Sequence, residues 1–206
     1  MPVSVADAAV PHLPAVVVQD RRESLALQAA APTRGAEQAL DSADAARFLT
    51  RVPGFAVMRK GGGNSEAILR GMAGSRLGIL ADGVPVMGGC ILRMDSPLSY
   101  IYPDAYDEVT LIKGPQSVAK GAGLSAGVVE FKRRKPVFEK PGIRFDGAVL
   151  FGSFGRNDQM SEVLAGNAQW HGRVSGTRSE SQSYKDGKGQ RVHSAWQRWS
   201  GDVALG

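Results

Sequence analysis

A thiol and a thioether stand four residues apart in Met87-Gly88-Gly89-Cys90-Ile91-Leu92-Arg93-Met94-Asp95. Both are soft ligands, and soft ligands select Cu(I) over hard cations. If the residues between them make a helical turn, the sulfurs of Cys90 and Met94 project to one side. Two sulfurs do not close a metal site, so the remaining ligands have to come from elsewhere. The competing reading is plain packing, because buried Cys and Met are common core residues. The spacing alone leaves both readings open. Met58 and Met72 read as packing residues only.

Other chemistries are excluded. Cys90 is the one cysteine of the 206 residues, so neither an internal disulfide nor a C-x-x-C zinc site exists. His12, His171 and His193 show no ligand spacing with acidic residues, and no base stands beside a plausible nucleophile. The chain therefore reads as no enzyme, with no cofactor. Gly61-Gly62-Gly63-Asn64 lacks the GxxxxGK[ST] spacing of a phosphate-binding loop. The net charge is +5, with Lys and Arg scattered among Asp and Glu. The only basic run is Lys132-Arg133-Arg134-Lys135, and no groove-reading helix or stacking motif accompanies it, which argues against nucleic acid. The run reads as a solvated turn or a contact for anionic lipid headgroups.

The elements that must position the two sulfurs lie between residues 44 and 131. Short apolar runs (Phe55-Ala56-Val57-Met58, Ala67-Ile68-Leu69, Leu77-Gly78-Ile79-Leu80, Val109-Thr110-Leu111-Ile112, Val128-Val129-Glu130-Phe131) alternate with Gly, Pro, Asn and Asp. That pattern predicts short strands joined by tight turns. A brief helix is expected from Ser42-Ala43-Asp44 through Phe48-Leu49, stopped by Val52-Pro53-Gly54. Asp82-Gly83 predicts a hairpin turn. Ser117-Val118-Ala119-Lys120 predicts one helical turn, ended by Gly121-Ala122-Gly123.

After Pro136 the period lengthens. Ile143, Phe145, Gly147, Val149 and Phe151 alternate with Arg144, Asp146, Ala148 and Leu150. Trp170, Gly172, Val174 and Gly176 alternate with His171, Arg173, Ser175 and Thr177. A soluble sandwich shows such alternation, and so does a transmembrane barrel with lipid on one side of each strand. Four strands are expected here, with a loop near residues 153–158, a short turn near 167–169 and a longer polar loop over 184–193. No stretch approaches the roughly 18 apolar residues of a membrane-spanning helix.

The first 35 residues read as a flexible lead-in. Within it, Leu13-Pro14 followed by Ala15-Val16-Val17-Val18-Gln19 forms an extended, strand-ready peptide. It suits addition to the edge of a partner's sheet, or else the first strand of the chain's own fold. Met1 to Ala9 lacks a basic n-region and a long apolar segment, so no signal peptide is visible. Ala6-Asp7-Ala8 has the small-x-small form of a cleavage site, which fits either a start inside a longer precursor or an ordinary Ala-rich start.

In order along the chain, these residues resemble the TonB-dependent outer-membrane receptors. Phe48-Leu49-Thr50-Arg51-Val52-Pro53-Gly54 is similar to the opening helix and P-G step of their plug domain. Ile68-Leu69-Arg70-Gly71 is similar to its R-G strand, and Asp82-Gly83-Val84-Pro85 to its D-G-V-P hairpin. Val109 through Lys113-Gly114-Pro115-Gln116-Ser117, with Gly121 and Gly127, is similar to its K-G-P-x-S segment. Ala126-Gly127 stands where the family has paired glycines. Within the family, the segment from Met87 to Asp95 looks most like the copper receptors.

The resemblance implies an α+β plug, a short mixed sheet with brief helices, over residues 36–136. The lead-in at 1–35 would carry the TonB box at Ala15–Gln19. Residues 137–206 would be the first four antiparallel strands of a transmembrane β-barrel of roughly 22. Four strands leave open edges that a membrane core does not tolerate, so a chain of these residues alone would be no transporter, which motivates a stand-alone plug beside the reading as the N-terminal part of a receptor. Cys90 and Met94 would hold copper at the plug apex, and a TonB-type energy-transducing protein would pair with the N-terminal peptide. Outer-membrane lipid would surround the barrel, with the plug facing the periplasm. A receptor for a ferric siderophore or haem, and a stand-alone periplasmic plug, are the alternatives.

Overall fold

The computed structural model describes residues 28–34, 44–90 and 94–206. Its first sheet has five strands: β1 (Gln28–Pro32), β4 (Leu77–Ala81), β5 (Val84–Pro85), β6 (Glu108–Lys113) and β7 (Gly127–Lys132). Their spatial order is β1-β6-β7-β4-β5. The sheet is mixed, because β4 runs parallel to β7 while the other pairs are antiparallel. A separate hairpin joins β2 (Phe55–Gly61) to β3 (Asn64–Leu69). Helix α1 (Ala45–Leu49) is capped by the Asp44 carboxylate, which accepts from the Ala46 and Arg47 amides.

Among the described residues of the two sheets, the expected strands and turns formed, with three corrections. Strand β1 lies within the expected lead-in. Its Ala-rich sequence has no strand signature, and it forms because β6 offers a free edge for backbone pairing. The R-G strand is a turn: β3 ends at Leu69, and Arg70 (φ 49°) with Gly71 (φ 79°) reverses the chain in left-handed geometry. The connection expected over residues 153–158 is only Ser153–Gly155, so the next strand begins at Arg156.

One core holds the plug sheet, hairpin and helix together. Phe48, Leu49, Leu69, Ile79, Tyr106, Leu111, Val129 and Phe131 are all buried in it. Helix α1 contributes Phe48 and Leu49 to this core, the turn Pro97–Tyr100 contributes Leu98, and Ile101 and Tyr102 enter it from the link to the turn Pro103–Ala105.

The second body is an antiparallel sheet of β8 (Gly142–Gly152), β9 (Arg156–Gly166), β10 (His171–Ser181) and β11 (Trp196–Leu205), hydrogen-bonded in sequence order. Its register sets Phe145, Val163, Val174 and Val203 in one row across the four strands. All four are exposed, as are Ile143, Val149, Phe151, Trp199 and Leu205. The opposite face is mainly polar and is buried along β9 and β10, with Asp158, Glu162, Arg173, Ser175, Thr177 and Ser179 beside the apolar Met160 and Leu164. An apolar outer face and a polar inner face are the two surfaces of a membrane barrel wall. The plug lies against the inner one, and Met160 of β9 enters its core.

Candidate functional site

The chain leaves β5 exposed and crosses Met87, Gly88, Gly89 and Cys90 before it returns at Met94, Asp95 and Ser96. Residues 91–93 lie outside the described residues. Neither Cys90 nor Met94 is in a helix, so the expected helical turn has no support at either end. Tertiary contacts instead close this segment. The Gly89 amide donates to Asp95 Oδ2 at 2.8 Å, and the Tyr100 hydroxyl donates to the same oxygen. The Tyr100 bond, and secondarily that of Gly89, holds the Asp95 carboxyl below its usual pKa against the opposing effect of desolvation.

Gly88 and Gly89 are required by this closure. A Cβ on Gly88 would sit 2.5 Å from the Asp95 carbonyl oxygen, and one on Gly89 would sit 2.7 Å from the Tyr100 hydroxyl. From the other side, the Asn64 side chain grips residues 94 and 96. Its Nδ2 donates to the Met94 carbonyl at 2.7 Å, and its Oδ1 accepts from the Ser96 amide at 3.3 Å. Ser96 Oγ then accepts from the Leu98 amide and caps the turn Pro97–Tyr100.

The sulfurs are not core atoms. Met94 is 64 % exposed, Met87 is 77 % exposed, and Cys90 is half-buried and unpaired in any disulfide. Exposure overturns the packing reading for Met94. Met72 does pack against the core, whereas Met58 is partly exposed on β2. Among the described residues no group of three or more His, Cys, Asp or Glu gathers as a metal site. A cleft of about 640 Å³ opens between α1, β2 and the barrel strands, lined by Arg47, Arg59, Phe154 and Trp196 among others, and holds neither Cys90 nor Met94.

The other expected residues build scaffold. Asp82 and Gly83 form the left-handed hairpin turn, and Asp82 Oδ1 also accepts the Arg133 amide at 2.7 Å. Lys113 Nζ donates to the Pro53 carbonyl at 3.1 Å. Gly114 bonds to Ala126 across the sheet, and Gly127 stands opposite Lys113 in register. Pro115 and Ser117 are exposed in the connection to the turn Val118–Lys120, which Gly121 ends. Arg70 and Gly71 are exposed. The N-terminal peptide Ala15, Val16, Val17, Val18 and Gln19 lies outside the described residues.

Sequence reasoning missed the seam between plug and wall. The basic run is no solvated turn at its centre: Arg133 pairs with Asp202 of β11 at 2.6 Å and stacks 4.6 Å over the Tyr106 ring. Arg34 reaches Glu162 at 3.0 Å and Asp107 at 3.4 Å, and Arg173 of β10 reaches the same two acids at 3.4 and 3.5 Å. The available signal was charge at inward positions of strands whose outward positions are apolar.

Three comparisons bear on this arrangement. Residues 31–128 match the family described as the TonB-dependent receptor plug domain. A solved structure of the copper transporter OprC is 44% identical with a TM-score of 0.81, over 87% of this chain and 28% of that one. The FrpB iron transporter from Neisseria meningitidis matches at 20% identity and a TM-score of 0.63, over 84% and 28%. The ferric yersiniabactin uptake receptor FyuA from Yersinia pestis matches at 16% and 0.57, over 86% and 28%. At the last two identities the likeness concerns the fold alone. The chain spans little more than a quarter of the length of these proteins. Comparison with curated protein sequences gives no match.

Proposed function

The chain belongs to the TonB-dependent receptors, and on that premise we propose that it is the N-terminal part of an outer-membrane transporter for copper. The observation that carries the copper reading is the pair Cys90, half-buried, and Met94, exposed, beside the Gly89–Asp95 hydrogen bond. Its support is the 44% identity to a protein described as a copper transporter. Cys90 supplies a thiolate and Met94 a thioether, and Cu(I) is the biological cation that both favour. The other ligands would come from residues beyond those described.

In this reading residues 36–136 are the plug, residues 137–206 begin the barrel, and the plug blocks the lumen facing the periplasm. Cargo binds at the plug apex. The Ala15–Gln19 peptide adds as a strand to the TonB-type partner, and traction on it displaces part of the plug. Displacement is cheap for a domain of short strands whose first strand, β1, is an edge. The protein performs no covalent chemistry on its cargo and is no enzyme.

The test is copper uptake by cells carrying the full-length receptor with Cys90→Ser plus Met94→Leu. Loss of uptake with unchanged receptor abundance is the expected outcome. Unchanged copper uptake would sink the reading and favour an iron-chelate or haem cargo.

A further inference from the structure

We propose that Asp95 and Asn64 are the positioning residues of the metal loop: they hold Cys90 and Met94 in the geometry that binds Cu(I). The proposal rests on the copper reading above. Neither residue has a soft donor, so their part is to act through the backbone that carries the sulfurs.

The geometry is specific. Asp95 Oδ2 takes the Gly89 amide, which immediately precedes Cys90, and the Tyr100 hydroxyl. This ties Gly89, next to Cys90, to Asp95, next to Met94. Asn64 pairs with the Met94 carbonyl and the Ser96 amide, one donor and one acceptor, as a neighbouring strand would. Asp95 is therefore gripped between two bonded residues while its own carboxylate closes the loop. The Gly88-Gly89 pair completes the device, since any side chain there would collide with Asp95 or Tyr100.

The grip also has an anchor. Asn64 opens β3, directly after Gly62 and Gly63, and those glycines lie against the indole of Trp196 on the barrel wall. A continuous line of contacts thus runs from the wall through the hairpin turn to Met94. Two sulfurs on an untethered exposed loop would have to be ordered at the moment of binding, whereas a tethered loop presents them in advance.

The test uses the full-length receptor in detergent and Cu(I) alone as the probe, with affinity read by competition against a chromogenic Cu(I) chelator. Partners that orient metal ligands are worth roughly 10- to 100-fold in affinity. Asp95→Ala and Asn64→Ala are each expected to weaken binding by about that factor without changing the melting temperature or the stoichiometry. Asp95→Asn keeps an acceptor oxygen and is expected to restore most of the affinity. Amide exchange at Gly89 should accelerate in Asp95→Ala and not in Asp95→Asn. If Asp95→Ala and Asn64→Ala bind Cu(I) as the wild type does while Cys90→Ser plus Met94→Leu has lost binding, the copper reading stands and the positioning role is overturned. If Cys90→Ser plus Met94→Leu also binds as wild type, both fall. Equal weakening by Asp95→Asn and Asp95→Ala would overturn the positioning role as well.

Discussion

The indole of Trp196 occupies the space that a side chain at Gly63 would need. A Cβ there would meet the ring at 2.8 Å, and φ at Gly63 is +74°. The barrel strand β11 and the plug hairpin β2–β3 therefore fit together only because position 63 carries no side chain. Gly63→Ala should displace the ring and strain the turn, at a cost of about 1–3 kcal/mol. Trp196→Ala should cost a comparable amount through lost packing. Both substitutions remove one contact, so the double variant should be less destabilised than the sum. Thermal unfolding of the four proteins measures this directly.

Glu162 is fully buried and faces two guanidinium groups, Arg34 at 3.0 Å and Arg173 at 3.4 Å. A buried charge that loses a partner is costly, whereas removing both charges is often nearly neutral. Arg173→Met should destabilise the docked plug by roughly 1–3 kcal/mol, less than the full value because Arg34 remains. Adding Glu162→Leu should recover part of that loss. Chemical denaturation that reports on the plug would expose a failure of this double-mutant logic.

Asp104 supplies a pH dependence. It is buried in the turn Pro103–Ala105, and desolvation, opposed by Arg34 and reinforced by the charge of Asp158, pushes its pKa up to about 6. The folded protein binds this proton more tightly than the unfolded chain, whose Asp titrates near 3.8. The stability contribution is complete below 3.8 and is lost as pH rises through about 6. Asp95 has the opposite sign, but its titration is displaced downward from 3.8 and lies outside that window. Melting temperature should rise between pH 7.5 and 5.5, and Asp104→Asn should flatten that part of the profile. A profile unaltered by Asp104→Asn would count against the assignment.

Phe131 ends the parallel strand pair and is fully buried, with the Tyr106 ring 5.6 Å away. Phe131→Ala should destabilise by about 3–5 kcal/mol. Arg133, stacked over the Tyr106 ring, would lose its platform as the ring relaxes. Protease cleavage within residues 103–135 should therefore accelerate in this variant, and a resistant protein would refute the packing argument.

The sequence by itself determined most strands and turns of the plug, β1 and the turn at Arg70-Gly71 excepted, and the two-faced strands after it. These are local properties: a glycine at a tight turn, a proline after a helix, or an apolar residue at every second position acts on its immediate neighbours. The soft character of Cys90 and Met94 was legible for the same reason, since ligand chemistry belongs to the side chain. Tertiary structure alone decided what those side chains do. Strand β1 exists because β6 has a free edge, which Gln28 and the alanines after it do not announce. Arg133 became a plug–barrel link because Asp202 lies opposite it, 69 residues away in sequence. The backbone beside the two sulfurs is held by Asn64, some 30 residues earlier, which bonds Met94, and by one carboxylate oxygen of Asp95, which bonds Gly89. Hydrogen bonds and ion pairs of that span depend on how the elements pack, and packing is a property of the whole chain.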